Sequence, residues 1–106
     1  MYATIRRYSS KAALTQQTVD DFKRRIEEKF VPTLGDIPGF HSYGIVKTGD
    51  KEMVSITVCE DRQGVTESTR RAAEFVQKDP LKEQLSKPEV LEGELLILKE
   101  AGVGAR

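Results

Sequence analysis

Residues 40–59, FHSYGIVKTGDKEMVSITVC, decide the fold of this chain. β-Branched and aromatic residues fill both halves, and Gly49 and Asp50 form a turn between them. The segment therefore predicts a hairpin, with strands from about Phe40 to Thr48 and from about Glu52 to Cys59. In the later strand Val54, Ile56 and Val58 share one face, while Met53, Ser55, Thr57 and Cys59 share the other. The valine and isoleucine set is the expected helix-covered core.

Toward the N-terminus, Tyr2 to Tyr8 reads as a first strand broken by Ser9, Ser10 and Lys11. Thr18 with Asp21 is a variant capping box, and Val19, Phe22, Ile26, Phe30 and Leu34 make an apolar stripe at helical spacing. Asp20 with Arg24 and Asp21 with Arg25 mark the solvated side as i,i+4 pairs. Pro32 and the turn at Ile37, Pro38 and Gly39 close this helix. Toward the C-terminus, Asp61 caps a second helix running to about Lys78, with Val65, Thr69, Ala72, Ala73 and Val76 on its inner face. Asp79 and Pro80 end it, a short helical turn falls within residues 81–88, and the Leu95 to Leu98 run within Glu94 to Lys99 reads as a fourth strand.

The order β, α, β, β, α, β predicts an α+β, ferredoxin-like fold: an antiparallel four-stranded sheet with both helices on one face. Residues 1–100 are expected to form a single domain and residues 101–106 a flexible tail. The uncovered face would carry Met53 and part of the Leu95 to Leu98 run. A monomer would leave these against water, so two sheets are expected to pair as a homodimer.

Composition limits the function classes. At 106 residues with 17 Lys and Arg against 17 Asp and Glu, the chain offers no long-range field for nucleic acid or anionic lipid. It has no apolar run long enough to span a bilayer and no signal-peptide core, so a cytoplasmic protein without nucleic-acid or membrane partners is expected. Cys59 is the only cysteine, which rules out an intramolecular disulfide. Zinc-type Cys and His clusters, a phosphate-cradling glycine loop and a nucleophile elbow are all missing from the sequence.

The chain resembles the antibiotic-biosynthesis-monooxygenase-like group of the dimeric α/β-barrel superfamily. The carrying residues are Ile37, Pro38, Gly39 and Phe40 leading into Tyr43, then Ser55, Ile56, Thr57 and Val58 ahead of Glu60 and Asp61. The stretch Arg70, Arg71, Ala72, Ala73, Glu74, Phe75, Val76 is similar to an uncharacterised branch of that group. The resemblance implies a dimeric α/β barrel. It further implies an oxygenase acting on polycyclic aromatics or quinols without bound metal or flavin, with no cofactor expected, though a haem-degrading branch leaves haem open. An asparagine and a tryptophan recur in such oxygenases; this sequence has neither. The tryptophan position falls near Ser68, so Ser68 joins the pocket candidates and no catalytic residue is carried over.

The remaining candidates come from the residues themselves. His41, the only histidine, could serve as a general base or an axial ligand, and Tyr43 at a spacing of two would share its pocket wall; ordinary strand packing is the alternative for both. Arg6 and Arg7 point to opposite faces, so one guanidinium aims at the covered side and needs an acid or an anionic ligand. Glu60, Glu94 or a partner subunit are the acids considered. Tyr8 lies on the same strand, and Arg71 is one of two helical arginines that cannot both be core. Two classes of function stay open: a small-molecule enzyme with its pocket near Tyr8, His41 and Tyr43, or a non-catalytic module binding an apolar or aromatic ligand on the same scaffold. A cavity where His41 or an arginine meets Tyr43 would favour the first, and one filled by Phe22, Phe30 and Phe75 the second.

Overall fold

The computed structural model describes residues 1–101, so the expected tail lies, beyond Ala101, outside the described residues. Strands β1 (Tyr2–Ser9), β2 (Phe40–Gly49), β3 (Glu52–Cys59) and β4 (Glu89–Glu94) form one antiparallel sheet in the order β2-β3-β1-β4. Helices α1 (Gln16–Arg25), α2 (Val31–Leu34) and α3 (Arg62–Lys78) supply the two crossovers, because α1 runs through a π turn at Ile26–Phe30 straight into α2. The architecture is the expected ferredoxin-like one.

Local chemistry sets the helix ends. Thr15, three residues before the expected cap, accepts a hydrogen bond from the Thr18 amide at 3.2 Å. Asp61 caps α3 as expected, accepting from the Gly64 amide at 3.0 Å. Phe22, Ile26, Phe30 and Leu34 are all buried. A stripe repeating every four residues would rotate by about 40° per step on a regular helix. The wider π turn takes up that drift and keeps the four side chains on the core. Arg25 does not pair with Asp21. Its guanidinium grips the buried Asp79 carboxylate at 2.7 and 3.0 Å, tying the end of α1 to the end of α3, and this pairing raises the Arg25 pKa.

The faces of β3 are the reverse of the expectation. Met53, Ser55, Thr57 and Cys59 lie under the helices with Thr4, Arg6 and Tyr8 of β1, and all are buried. Val54, Ile56 and Val58 belong to the open face. There Leu91, Ile5, Ile56 and Gly44 are successive cross-strand partners, one apolar row over all four strands. Ile5, Ile56, Leu91 and Val46 are exposed on it. The hydrophobic effect drives apolar surface away from water but does not say which side of a sheet will be covered by helices.

β4 also departs from the expectation. It is formed by Glu89–Glu94, five residues before the expected start, and residues 95–100 continue without strand pairing. The Leu95 amide is held by the Met1 carbonyl at 2.9 Å. Leu96 and Ile97 are 81% and 84% exposed. Burial inside α3 falls on Val65, Ser68 and Ala72, whereas Ala73 is exposed.

Gly64 illustrates how closely α3 approaches the sheet. A Cβ there would stand 2.8 Å from the Cys59 Cβ and 3.1 Å from its Sγ. Helix propensity favours alanine by about 1 kcal/mol, while overpacking costs about 1–3 kcal/mol. We expect Gly64→Ala to lower stability by about 1 kcal/mol in urea unfolding, because the backbone beneath is not free to retreat. A more stable variant would refute this close packing.

Candidate functional site

Arg6 is the centre of the covered face. It is 1% exposed, and among the described residues no carboxylate lies within salt-bridge distance of it. Hydroxyls surround the guanidinium instead. Its Nε donates to Ser55 Oγ at 3.2 Å, Nη1 to Ser68 Oγ at 3.3 Å and Thr69 Oγ1 at 3.0 Å, and Nη2 to Thr57 Oγ1 at 2.8 Å. The shell is itself ordered, since Ser68 Oγ donates to the Val65 carbonyl and Thr4 and Thr69 share a hydrogen bond. These four bonds use four of the five guanidinium N–H groups, leaving one on Nη2. Neutral dipoles solvate the charge without cancelling it, and a buried ion without a counter-ion carries a cost of several kcal/mol.

The neighbouring phenols do not supply the missing charge. Burial pushes Tyr43 up to about 12 against the opposing pull of Arg6. Tyr8 is likewise raised by burial and held partly down by Arg6. Both therefore stand as neutral hydrogen-bonding groups at physiological pH. Raised in the folded state, the Tyr43 pKa contributes stability that is complete below the ordinary tyrosine value near 10 and is lost as pH rises toward about 12. Alkaline absorbance titration should show a late-ionising tyrosine that Tyr43→Phe removes; an unchanged titration would contradict this assignment.

Two spaces meet at Arg6 and Tyr8. On the α1 side, Phe22, Phe30 and Phe75 pack with ring centroids 5.7 and 5.9 Å apart, and the remaining gap beside Tyr43 is only about 20 Å³. The phenylalanine filling that would weigh against an enzyme is thus present on this side. On the other side of α3, a cavity of about 370 Å³ opens between Arg6, Tyr8, Thr69, Val76, Leu85 and Val90. Its outer wall is residues 82–88, held by the Ser86 amide to the Ser9 carbonyl at the end of β1 and by the Lys11 amide, just past that strand, to the Gln84 carbonyl, both 2.8 Å. Cavities of about 300–1,000 Å³ suit small organic ligands.

A larger groove of about 510 Å³ runs between α2 and α3, but its two arginines are already paired. Arg70 binds Glu67 and Glu74 there, and Arg71 binds Glu67, Asp36 and the Thr33 carbonyl. Those bonds hold Glu67 down at about 2. Arg71 therefore lies away from Arg6, whereas Ser68 touches it. His41 is also apart. A register shift between Phe40 and Ser42 breaks the spacing-of-two rule, so Phe40 and Tyr43 pack on the core while His41 stays exposed, 3.5 Å from Glu100. Arg6, Tyr8, Tyr43 and Ser68 are the candidates brought together, and Arg71 and His41 are not. The sequence marks Thr57 and Thr69 only as strand and helix face residues, Thr57 on the side expected to be open, and not as site candidates; both bond Arg6.

Among the described residues no His, Cys, Asp and Glu cluster is spaced to hold a metal ion, and no helix is long and apolar enough to cross a membrane. Cys59 is buried, and that burial raises its thiol pKa.

No family model and no curated protein matches the sequence. Solved structures do. HapK from Hahella chejuensis superimposes with a TM-score of 0.65 at 17% identity, covering 96% of this chain and 99% of that one. SnoaB from Streptomyces nogalater, described as a cofactor-independent oxygenase, gives 0.63 at 13% identity over 92% and 94% of the two chains. A structure described as an antibiotic biosynthesis monooxygenase gives 0.63 at 15% identity over 92% and 100%. Identities this low establish a shared fold, and that fold is the one the sequence resemblance implied.

Proposed function

We propose that this chain, which has the fold of the antibiotic-biosynthesis-monooxygenase-like proteins, is a cofactor-independent oxygenase for a small phenolic or quinol-like molecule, with the 370 Å³ cavity as its site. The supporting observation is Arg6, a buried cation facing that cavity with hydroxyl partners and no acid. A bound phenol or enol oxygen would complete the shell. Arg6 lowers the pKa of such a group, so the ligand is held as its anion, the electron-rich form that can react with dioxygen. For an anthrone-type methylene, the anion gives one electron to dioxygen and the two radicals combine as a carbon hydroperoxide. Loss of water then leaves a carbonyl. One oxygen atom ends in that product and the other in water, and the substrate supplies both electron pairs.

Two copies are proposed to pair through the open face. The row Leu91, Ile5, Ile56 supports this reading, as does the exposed Leu96 and Ile97 segment beside it. A partner docked there meets the side of the sheet opposite Arg6, so it would not quench that charge.

The test is dioxygen uptake with anthrone and a series of hydroquinones, recorded alongside visible spectra and a haem titration. Uptake of about one dioxygen per anthrone without peroxide release is expected, and none with Arg6→Met. Ligand binding without uptake would instead favour a non-catalytic binding module. That second reading draws support from the absence of Asn and Trp and from the phenylalanine packing beside Tyr43.

A further inference from the structure

The rim of the Arg6 cavity carries two more cations. Lys82 and Lys87 line it and are exposed, and among the described residues neither has a carboxylate within salt-bridge distance. Among the described residues no aspartate or glutamate lines the cavity. In a chain whose 17 basic and 17 acidic residues cancel, this is a local concentration of one sign. The larger groove differs in that three acids, Asp36, Glu74 and Asp79, stand among its four basic groups. A cavity walled by one sign of charge raises the local concentration of the opposite sign. The apolar walls at Val76, Leu85 and Val90 separate the buried cation from the rim pair.

We infer that the ligand of this cavity is an aromatic acid, with a phenolic oxygen at Arg6 and a carboxylate held at the rim by Lys82 and Lys87. The inference rests on the cavity being the ligand site and adds the class of molecule that it takes. The two lysines act on binding and capture, not on the reacting atoms.

Gentisate, its methyl ester and the double variant Lys82→Gln/Lys87→Gln test this by calorimetric titration under nitrogen. Gentisate should bind the parent chain about fivefold or more tighter than the ester at low ionic strength, and the gap should narrow in high salt. The double variant should erase the gap and leave ester affinity in place. Equal affinities in the parent chain, or a gap that survives the double variant, would overturn the inference while the ester still reports an intact cavity site. Binding of neither compound would overturn the inference together with the assignment of the cavity.

Discussion

Arg6→Met should abolish ligand binding, by a hundredfold or more, while leaving unfolding stability within about 1 kcal/mol of the parent chain. Two large terms oppose one another. The substitution removes four hydrogen bonds from a charged donor, of about 1.5–3 kcal/mol each at most. It also abolishes the desolvation cost of an ion that has no counter-charge, which is several kcal/mol. Two of the four freed hydroxyls keep a partner, since Ser68 donates to the Val65 carbonyl and Thr69 meets Thr4, while Ser55 and Thr57 lose the only one they have among the described residues. An arginine kept for architecture behaves otherwise, since loss of one member of a buried ion pair costs about 3–5 kcal/mol. Urea unfolding at fixed protein concentration, combined with titration by methyl gentisate, separates the cases. Destabilisation above about 3 kcal/mol with binding retained would make Arg6 a structural residue.

If two copies pair by the open face as proposed, Ile56→Glu should leave single chains of 11.9 kDa. Ile56 sits mid-row on the open face between Ile5 and Gly44, and it is 40% exposed in the lone chain. A carboxylate there costs the free subunit little, because water reaches it. Inside a paired face it becomes a buried charge without a partner, at about 3 kcal/mol or more in each chain, so the dissociation constant should rise by well over a hundredfold. Sedimentation at micromolar concentration reads the result. A parent chain that already sediments as one subunit would remove the basis for pairing by this face.

How far the sequence could be read depended on which residues carried a directional signal. The hairpin, the Asp61 cap and the Phe22, Ile26, Phe30, Leu34 stripe each pair a local rule with a definite geometry, and all lie where that geometry puts them. The faces of β3 did not, because alternation separates two sets without saying which meets the helices. Assigning the apolar set to the helices assumed that the monomer's own core outranks any other apolar surface. The fourth strand was misplaced for a related reason. Leu95 to Leu98 is more apolar than the Glu89–Glu94 segment that pairs with β1, and hydrophobicity scores burial without naming the partner. At the site, the opposed aims of Arg6 and Arg7 were legible, but among the described residues the acid expected beside the buried one is missing, and hydroxyls take its place. The bulge that turns His41 away was not, since one extra residue in a strand leaves no compositional mark.

The hydroxyl lining has an evolutionary consequence. Ser55, Thr57, Ser68 and Thr69 stand where most domains keep the side chains whose volume holds them together, yet here the apolar surface proposed for assembly lies on the other side of the sheet. Exchange of one small polar group for another in this lining would redirect molecular recognition without disturbing how subunits meet. A single scaffold of this kind can therefore diversify its chemistry by short mutational steps, each leaving the opposite face of the sheet untouched.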